Sequence, residues 1–151
     1  MSQKSQNSND QSDRIERSVV LKAPRSRVWR ALTDYKEFGT WFRAKLEGPF
    51  VVGEKVNGMH TYPGYEHLPF HAIVDRMDAE SVFSFRWPAS SDDGAPLTRV
   101  EFTLEDAEGG TKLTVIESGF EHLPAEMRDK VFRDNTGGWE KQLENIEAHV
   151  S

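Results

Sequence analysis

The sequence predicts an α+β domain in which a long C-terminal helix covers one face of a curved antiparallel sheet. Three observations predict this class. Residues 45–119 alternate between apolar and polar positions, a helical stretch precedes them, and residues 123–150 carry apolar side chains three or four positions apart. Because an alternating sheet buries only one face, it needs a second layer. The last helix is the one segment long enough to supply it.

The folded part of the chain is predicted to begin with one strand and two short helices. Apolar and polar residues alternate in RIERSVVL from residue 14, which is typical of a strand with one buried side. Pro24 suits the start of a helix because its φ is fixed and its missing N–H is not needed there. Thr33–Asp34 either closes this helix or caps a second one, whose aromatic residues are Tyr35, Phe38, Trp41 and Phe42.

About six antiparallel strands are predicted next, because turn signals interrupt the alternating run. One hairpin turns around residues 78–81 and another at residues 108–110. The stretch PASSDDGAP between them has Pro and Gly near both ends and is predicted to be an exposed loop. On the final strand, alternation places Glu117 on an otherwise apolar face, which would direct its carboxylate inward.

The last helix carries one amphipathic stripe, formed by Met127, Val131, Asn135, Trp139, Leu143, Ile146 and Val150. Two adjacent glycines, Gly137 and Gly138, lie inside this helix. Each costs roughly 1 kcal/mol relative to alanine in a helix interior. We therefore expect a bend, or the close approach of another segment, at this point.

Composition limits the classes of protein that the chain can belong to. Residues 14–151 fit one domain. Residues 1–13 hold nothing apolar after the first Met, so we expect them to form a disordered tail. Because this tail lacks an apolar run, we do not expect it to be a signal peptide. No run reaches the ~20 apolar residues that span a bilayer. A net charge of −6 argues against a nucleic-acid partner, and the absence of cysteine fits a reducing cytoplasm.

Several short motifs together resemble the START-like (SRPBCC) superfamily, and within it the activator of heat-shock-protein-90 ATPase homology (AHSA) family. They are AP..RVW.ALTD at residues 23–34, WF at 41–42, ESGF at 117–120 and GW...L..I at 138–146. The resemblance implies a helix-grip fold, with a seven-stranded antiparallel sheet around the C-terminal helix and an apolar cavity between them. Many relatives have Pro where this chain has Tyr35, so the turn before the second helix is expected to differ.

The predicted cavity wall combines aromatic residues with inward-facing polar ones. The candidate ligand-binding residues are Trp41, Phe42, His60, Phe85, Trp87, Phe102, Glu117, Asn135 and Trp139. Each ring has the alternative interpretation of ordinary core packing. For Glu117, the alternative is a buried ion pair with Arg17 or a satisfied internal hydrogen bond, because burying an unpaired polar group costs a few kcal/mol.

No metal, cofactor or catalytic residue is predicted. His60, His67, His71 and Glu66 have no compact helical spacing, because Pro69 interrupts HLPFH, and the chain has no Cys to complete a tetrahedral zinc site. Neither a phosphate-binding loop, a dinucleotide fingerprint nor a nucleophile elbow is present.

The functional prediction is the binding of a small hydrophobic molecule, such as a lipid, sterol or polyketide, by a cytoplasmic monomer or weak dimer. One alternative, implied by the family resemblance, is a chaperone cofactor or another protein-interaction module. A second alternative is a cyclase-like enzyme, for which Glu117 and His60 are the inward-facing acid–base candidates.

Overall fold

A computed structural model describes residues 14–90 and 94–151, so the predicted tail at residues 1–13 lies outside the described residues. The strands are β1 (Arg14–Leu21), β2 (Ala44–Leu46), β3 (Lys55–His60), β4 (Pro69–Asp78), β5 (Val82–Pro88), β6 (Leu97–Ala107) and β7 (Gly110–Ser118). The helices are α1 (Arg25–Thr33), α2 (Tyr35–Phe42) and α3 (Ala125–Val150), with a short 3-10 helix at Phe120–His122.

The seven strands form one antiparallel sheet in the order β1-β7-β6-β5-β4-β3-β2. The first strand therefore pairs with the last, and Ile15 lies opposite Glu117. A register shift between Val74 and Arg76 interrupts the β4–β5 pairing, a feature that bends the strand that contains it. The predicted α+β helix-grip fold is confirmed, with the strand count that the family resemblance implied.

Asp34 joins α1 to α2 without an intervening loop. Its backbone N–H donates to the Arg30 carbonyl at the end of α1, while its side chain accepts from the N–H groups of Lys36 (3.0 Å) and Glu37 (3.1 Å) at the start of α2. The residue thus serves as the C-cap of one helix and the N-cap of the next, which unites the two predicted roles. Helix α2 is followed by its C-cap Arg43, whose φ of 72° is left-handed.

Helix α3 continues through Gly137 and Gly138 without a break. A Cβ atom added to either glycine would meet no atom within 4 Å among the described residues. The expected close approach at these glycines is therefore wrong. The apolar stripe of the helix does face the sheet, and its C-terminal members Trp139, Leu143 and Ile146 are buried.

Aromatic side chains fill the concave face of the sheet. Phe38, Phe83, Phe85 and Phe102 are fully buried, and successive rings lie 5–7 Å apart, the separation at which edge-to-face and offset pairs attract. Trp29 packs against Phe83 at the margin of this core.

A charged cluster fixes the C-terminal end of α3 to the two short helices. The Glu37 carboxylate accepts from Arg27 (2.7 Å) and Arg30 (2.9 Å) of α1 and contacts the ring of His149 on α3 (2.9 Å). Burial by itself raises the pKa of Glu37, but the hydrogen bonds from Arg27, His149 and Arg30 outweigh it and lower the pKa to about 2. The cluster thus links three helices through one ionised carboxylate.

Candidate functional site

The site centres on Glu117, which lies near the end of β7 with 0% of its surface exposed. On the sheet it stands between Ile15 of β1 and Val100 of β6, both buried apolar residues. The two-residue alternation of β7 directs the side chain to the concave face, as predicted from the sequence. A carboxylate in this position has lost its hydrogen bonds to water. Hydrogen-bond donors of the protein must therefore offset the free-energy cost of burying it.

Four neutral side chains donate hydrogen bonds to this carboxylate. Trp87 donates its indole N–H to Oε2 at 2.9 Å, and Trp139 donates its indole N–H to Oε1 at 2.9 Å. The Thr98 hydroxyl donates to Oε2 at 2.5 Å, and the Asn135 amide lies 3.1 Å from both oxygens. An ionised carboxylate offers about four acceptor positions, so these donors nearly saturate it.

Of the two alternatives weighed for Glu117, the structure has the internal hydrogen bonds and not the ion pair with Arg17. Arg17 instead donates to Glu140 of α3 at 3.1 Å, and its side chain is 42% exposed. Within residues 14–90 and 94–151, no Lys, Arg or His side chain forms an ion pair with Glu117. A buried carboxylate held only by neutral donors keeps its negative charge uncompensated by a neighbouring cation.

The two tryptophans that hold Glu117 also form an aromatic wall. The Trp87 and Trp139 rings stack with centroids 5.6 Å apart and an interplanar angle of 22°. Phe42, the last residue of α2, lies 5.9 Å from Trp87 and 6.3 Å from Trp139. Three elements of the fold, α2, β5 and α3, therefore bring three rings together directly above the buried carboxylate.

Two adjoining clefts open on this wall. The smaller has a volume of about 110 Å³ and is lined by Phe42, Trp87, Asn135, Gly138, Trp139 and Gln142. The larger, of about 640 Å³, lies between α2, the start of β4 and the loop after β5, and is partly open to solvent. Phe42, Trp87 and Asn135 line both clefts, and we call these three residues the junction.

The larger cleft has a mixed lining in which polar groups alternate with apolar ones. Its members include Lys55, His60 and His71. Burial lowers the pKa of His60, so this imidazole stays neutral to a lower pH than a free histidine does. The Nδ1 atom of His71 lies 2.7 Å from the Asn57 side-chain oxygen. Among the described lining residues of this cleft, Lys55 is a cation and His60 is held in its neutral form.

The structure brings most of the predicted site residues together. Phe42, His60, Trp87, Asn135 and Trp139 line one or both clefts, and Glu117 lies beneath them. The other three, Trp41, Phe85 and Phe102, lie in the packed core. Trp41 donates its indole N–H to the Ala31 carbonyl at 2.8 Å, and the Phe102 ring contacts that of Trp139 at 5.7 Å. The expected hollow beneath α3 is thus occupied by aromatic rings at this point.

Three participants were missed in the sequence. Thr98 faces Trp87 across the β5–β6 pair, a register that the hydrophobic pattern alone does not define. Gln142 lies one helical turn after Gly138, and its amide donates to the Phe42 carbonyl at 3.0 Å. Gly138 stood out as a helix-weakening residue, but its place in the lining of a cleft was not foreseen. Gln142 could have been found from its i+3 spacing to Trp139 on the helix.

The described residues offer neither a metal site nor a membrane span. Within residues 14–90 and 94–151, no group of three or more His, Cys, Asp or Glu side chains is arranged to hold a metal ion. In the same ranges, no helix combines the length and apolar character needed to cross a bilayer.

Residues 22–151 match the sequence profile of the family described as Activator of Hsp90 ATPase homolog 1-like protein. The chain belongs to this Hsp90-activator-like family. The match covers every element that forms the site, from α1 to the end of α3, and confirms the resemblance found in the motifs. Comparison with characterised protein sequences gave no match.

Solved structures related to this Hsp90-activator-like chain share its fold. Protein MLL2253 from Mesorhizobium loti is 21% identical, with a TM-score of 0.74, over 90% of this chain and 95% of that one. The Aha1 dimer from Colwellia psychrerythraea is 17% identical, with a TM-score of 0.71, over 91% and 95% of the two chains. At these identities the likeness shows the fold alone.

DynU16, a protein from the dynemicin biosynthetic locus, is also similar, with 24% identity and a TM-score of 0.72. The alignment covers 91% of this chain but only 46% of DynU16, so the Hsp90-activator-like chain spans about half the length of that protein.

Proposed function

We propose that this protein binds a small hydrophobic molecule in the two adjoining clefts. The observation that carries the proposal is the junction of Phe42, Trp87 and Asn135, where both clefts share one aromatic wall with a polar group beside it. Sites for small molecules are typically concave and mainly apolar, with a few fixed polar groups. The volume of the larger cleft, about 640 Å³, lies within the range of ~300–1,000 Å³ that is usual for such sites.

The wall is rigid before any ligand arrives, which supports binding. Trp87 and Trp139 are each fixed by a hydrogen bond to Glu117, and the Phe42 backbone is fixed by Gln142. Preorganised side chains lose little rotamer freedom when a ligand binds. A ligand of about 20 heavy atoms at roughly 0.3 kcal/mol per atom gains about 6 kcal/mol, which corresponds to a Kd of tens of micromolar.

Gly138 supports the same proposal. A side chain at this position would extend into open space, and the residue lines the smaller cleft. Neither packing nor a left-handed backbone requires glycine here, since the residue lies within regular helix and has no close neighbour. Glycine at this position lowers the stability of the helix, but it leaves space for a ligand beside Trp139.

The test is a titration with a panel of lipid-, sterol- and polyketide-like compounds. The indole N–H resonances in ¹⁵N NMR spectra report binding at each step. Binding at the junction is expected to shift the signals of Trp87 and Trp139. The signals of Trp29 and Trp41, whose rings belong to the core and its margin, serve as internal controls. Absence of any shift across the panel would overturn the proposal.

A pair of matched variants locates the bound molecule. Gly138→Leu fills the smaller cleft, while Gly137→Leu adds the same side chain to a neighbouring exposed position that does not line it. We expect Gly138→Leu to weaken binding by at least five-fold and Gly137→Leu to leave it within two-fold. Equal effects of the two variants would place the ligand elsewhere.

A chaperone partner is the second candidate, and it rests on membership of the Hsp90-activator-like family. The test is a pull-down with a heat-shock-protein-90 homologue, followed by measurement of its ATPase rate. Stimulation of the ATPase by this chain would favour the second candidate, and no stimulation would exclude it. The enzymatic alternative is less well supported, because a general acid or base must reach its substrate and Glu117 is fully buried among protein donors.

A further inference from the structure

We infer that the junction selects a neutral aromatic molecule that donates a hydrogen bond, such as a phenol, and rejects the matching carboxylic acid. This inference rests on the proposed binding function and specifies the chemical class of the ligand. It depends on three features of the site, which are the orientation of the Asn135 amide, the occupied indole N–H groups and the charge of Glu117.

The orientation of the Asn135 amide is fixed by its neighbour. Its nitrogen lies 3.1 Å from each oxygen of Glu117. An ionised carboxylate accepts hydrogen bonds and donates none, so the NH₂ group of the amide, rather than its oxygen, must face Glu117. The Asn135 side-chain oxygen therefore occupies the other branch of the amide, on a residue that lines both clefts. Within the part of the chain that the structure describes, it accepts no hydrogen bond.

The indole N–H donors of the aromatic wall are not available to a ligand. The indole N–H groups of Trp87 and Trp139 both point to Glu117, and the Gln142 amide nitrogen donates to the Phe42 carbonyl. The junction thus offers ring faces and the Asn135 amide oxygen as an acceptor. A ligand that carries an O–H or N–H group satisfies that acceptor, whereas a ligand with only acceptor atoms does not.

The charge beneath the wall opposes anions. Glu117 is fully buried, and its hydrogen-bond partners are neutral side chains. An unpaired negative charge in a region of low dielectric acts over a longer distance than one in water. A carboxylate placed on the junction would meet this charge and would also leave the Asn135 oxygen opposite another acceptor. Lys55 lies in the lining of the larger cleft. If a ligand's polar group bound beside this cation, a carboxylate would be favoured instead.

The smaller cleft, with the aromatic wall beside it, suits the edge of a flat ring. Trp87 and Trp139 are nearly parallel, and the smaller cleft beside them holds about 110 Å³. An enclosed apolar cavity of about 150 Å³ holds benzene, so a slightly smaller cleft with an open side admits the edge of one aromatic ring. The remainder of a larger ligand would extend into the adjoining cleft.

Four probes that share the naphthalene ring system test the inference on the wild-type protein. They are naphthalene, 2-naphthol, 2-methoxynaphthalene and 2-naphthoate. At pH 7 the first three are neutral and the last is an anion. We expect 2-naphthol to bind between about three- and ten-fold more tightly than 2-methoxynaphthalene, which cannot donate. We expect 2-naphthoate to bind at least ten-fold more weakly than 2-naphthol. Shifts of the Trp87 and Trp139 indole signals report each affinity.

Asn135→Leu removes the acceptor and keeps a side chain of similar size. It should equalise the affinities for 2-naphthol and 2-methoxynaphthalene. Thr136→Val is the matched control, because the Thr136 hydroxyl donates to the Phe132 carbonyl of its own helix and the residue lines neither cleft. Thr136→Val should keep the wild-type preference. Should Asn135→Leu fail to fold, the wild-type probe series decides alone.

The outcomes separate the two proposals. If naphthalene binds while 2-naphthol and 2-naphthoate bind equally well, the selectivity is wrong and the binding function stands. If 2-naphthoate binds most tightly, Lys55 governs the site and the inference is overturned. If no probe shifts the Trp87 or Trp139 signals and the wider panel also fails, both proposals are wrong.

Discussion

Two carboxylates contact helix α3, and they are held in opposite ways. Glu117 lies beneath the middle of the helix, is fully buried, and accepts hydrogen bonds, among the described residues, only from neutral side chains. Glu37 lies at the C-terminal end, is 23% exposed, and is surrounded by Arg27, Arg30 and His149. The first carboxylate keeps a net negative charge inside the protein, while the charge of the second is balanced.

This difference indicates that Glu37 has a structural role, whereas Glu117 belongs to the candidate binding site. At Glu37 the cations compensate the charge, and the result is a link between helices with little left for a ligand. At Glu117 the donors are the same tryptophans and asparagine whose other faces line the clefts. The buried carboxylate therefore fixes the geometry of the wall and sets its electrostatic preference at once.

The largest expected effect is that of Glu117→Ala. Removing the acceptor leaves buried N–H and O–H groups of Trp87, Trp139, Asn135 and Thr98 without a partner, at about 1–3 kcal/mol each before relaxation. We expect a loss of roughly 3–5 kcal/mol in the free energy of unfolding, measured by urea denaturation. Glu105→Ala, at an exposed position of β6, should change it by less than about 0.5 kcal/mol. A loss below 1 kcal/mol for Glu117→Ala would contradict this account.

Glu37→Gln should have the next largest effect, a loss of about 2 kcal/mol at pH 7, because charge-assisted hydrogen bonds to two arginines become neutral ones. The effect depends on pH. Since the folded pKa of about 2 lies below that of an unfolded glutamate, the stabilisation is complete above about pH 4.5 and is lost as the pH falls towards 2. Urea denaturation at pH 7 and pH 3 measures it. A deficit of equal size at the two pH values would contradict the assigned pKa.

Gly137→Ala tests the helix segment between the two carboxylates. Alanine at this exposed position meets no neighbouring atom, so the helix should gain about 0.5–1 kcal/mol in stability. The melting temperature should rise by a few degrees in a scanning calorimeter. A lower melting temperature would show that the glycine has a conformational role that the regular helix does not reveal.

The smallest expected effect concerns His60 in the larger cleft. Because burial lowers its pKa, the unfolded chain binds a proton at this residue more readily than the folded one, and stability falls as the pH drops below about 6.5. His60→Gln should remove this component, which we expect to be below about 1 kcal/mol. Urea denaturation of both proteins at pH 7.5 and pH 5.5 checks it, and identical pH dependence would contradict the shift.

The regular strands and the long helix were predictable from the sequence, because the spacing of apolar residues shows which face of each element is buried. The inward direction of Glu117 follows from alternation along β7, and the stripe on α3 follows from helical spacing. The donors of Glu117 did not follow in the same way. Trp87 and Thr98 meet it only because of the β5–β6–β7 register, which depends on the whole sheet.

Arg17 and Trp41 lie away from the clefts for a common physical reason. Arg17 alternates with inward residues, but its long side chain reaches solvent and Glu140 of α3. Trp41 has the size of a cavity-lining residue, but its N–H requires a buried acceptor and finds it at Ala31. In both residues the reach and polarity of the side-chain tip, which hydrophobic period does not record, determined its place.

The pairing of β1 with β7 has a consequence for the way the protein folds. Ile15 and Glu117 lie side by side on the sheet although almost the whole domain separates them in the sequence. Contacts of such long sequence separation slow folding, because the entropy of closing the chain is lost before they form. During synthesis, the carboxylate, both tryptophans and the opposing first strand can assemble only after Trp139 has left the ribosome.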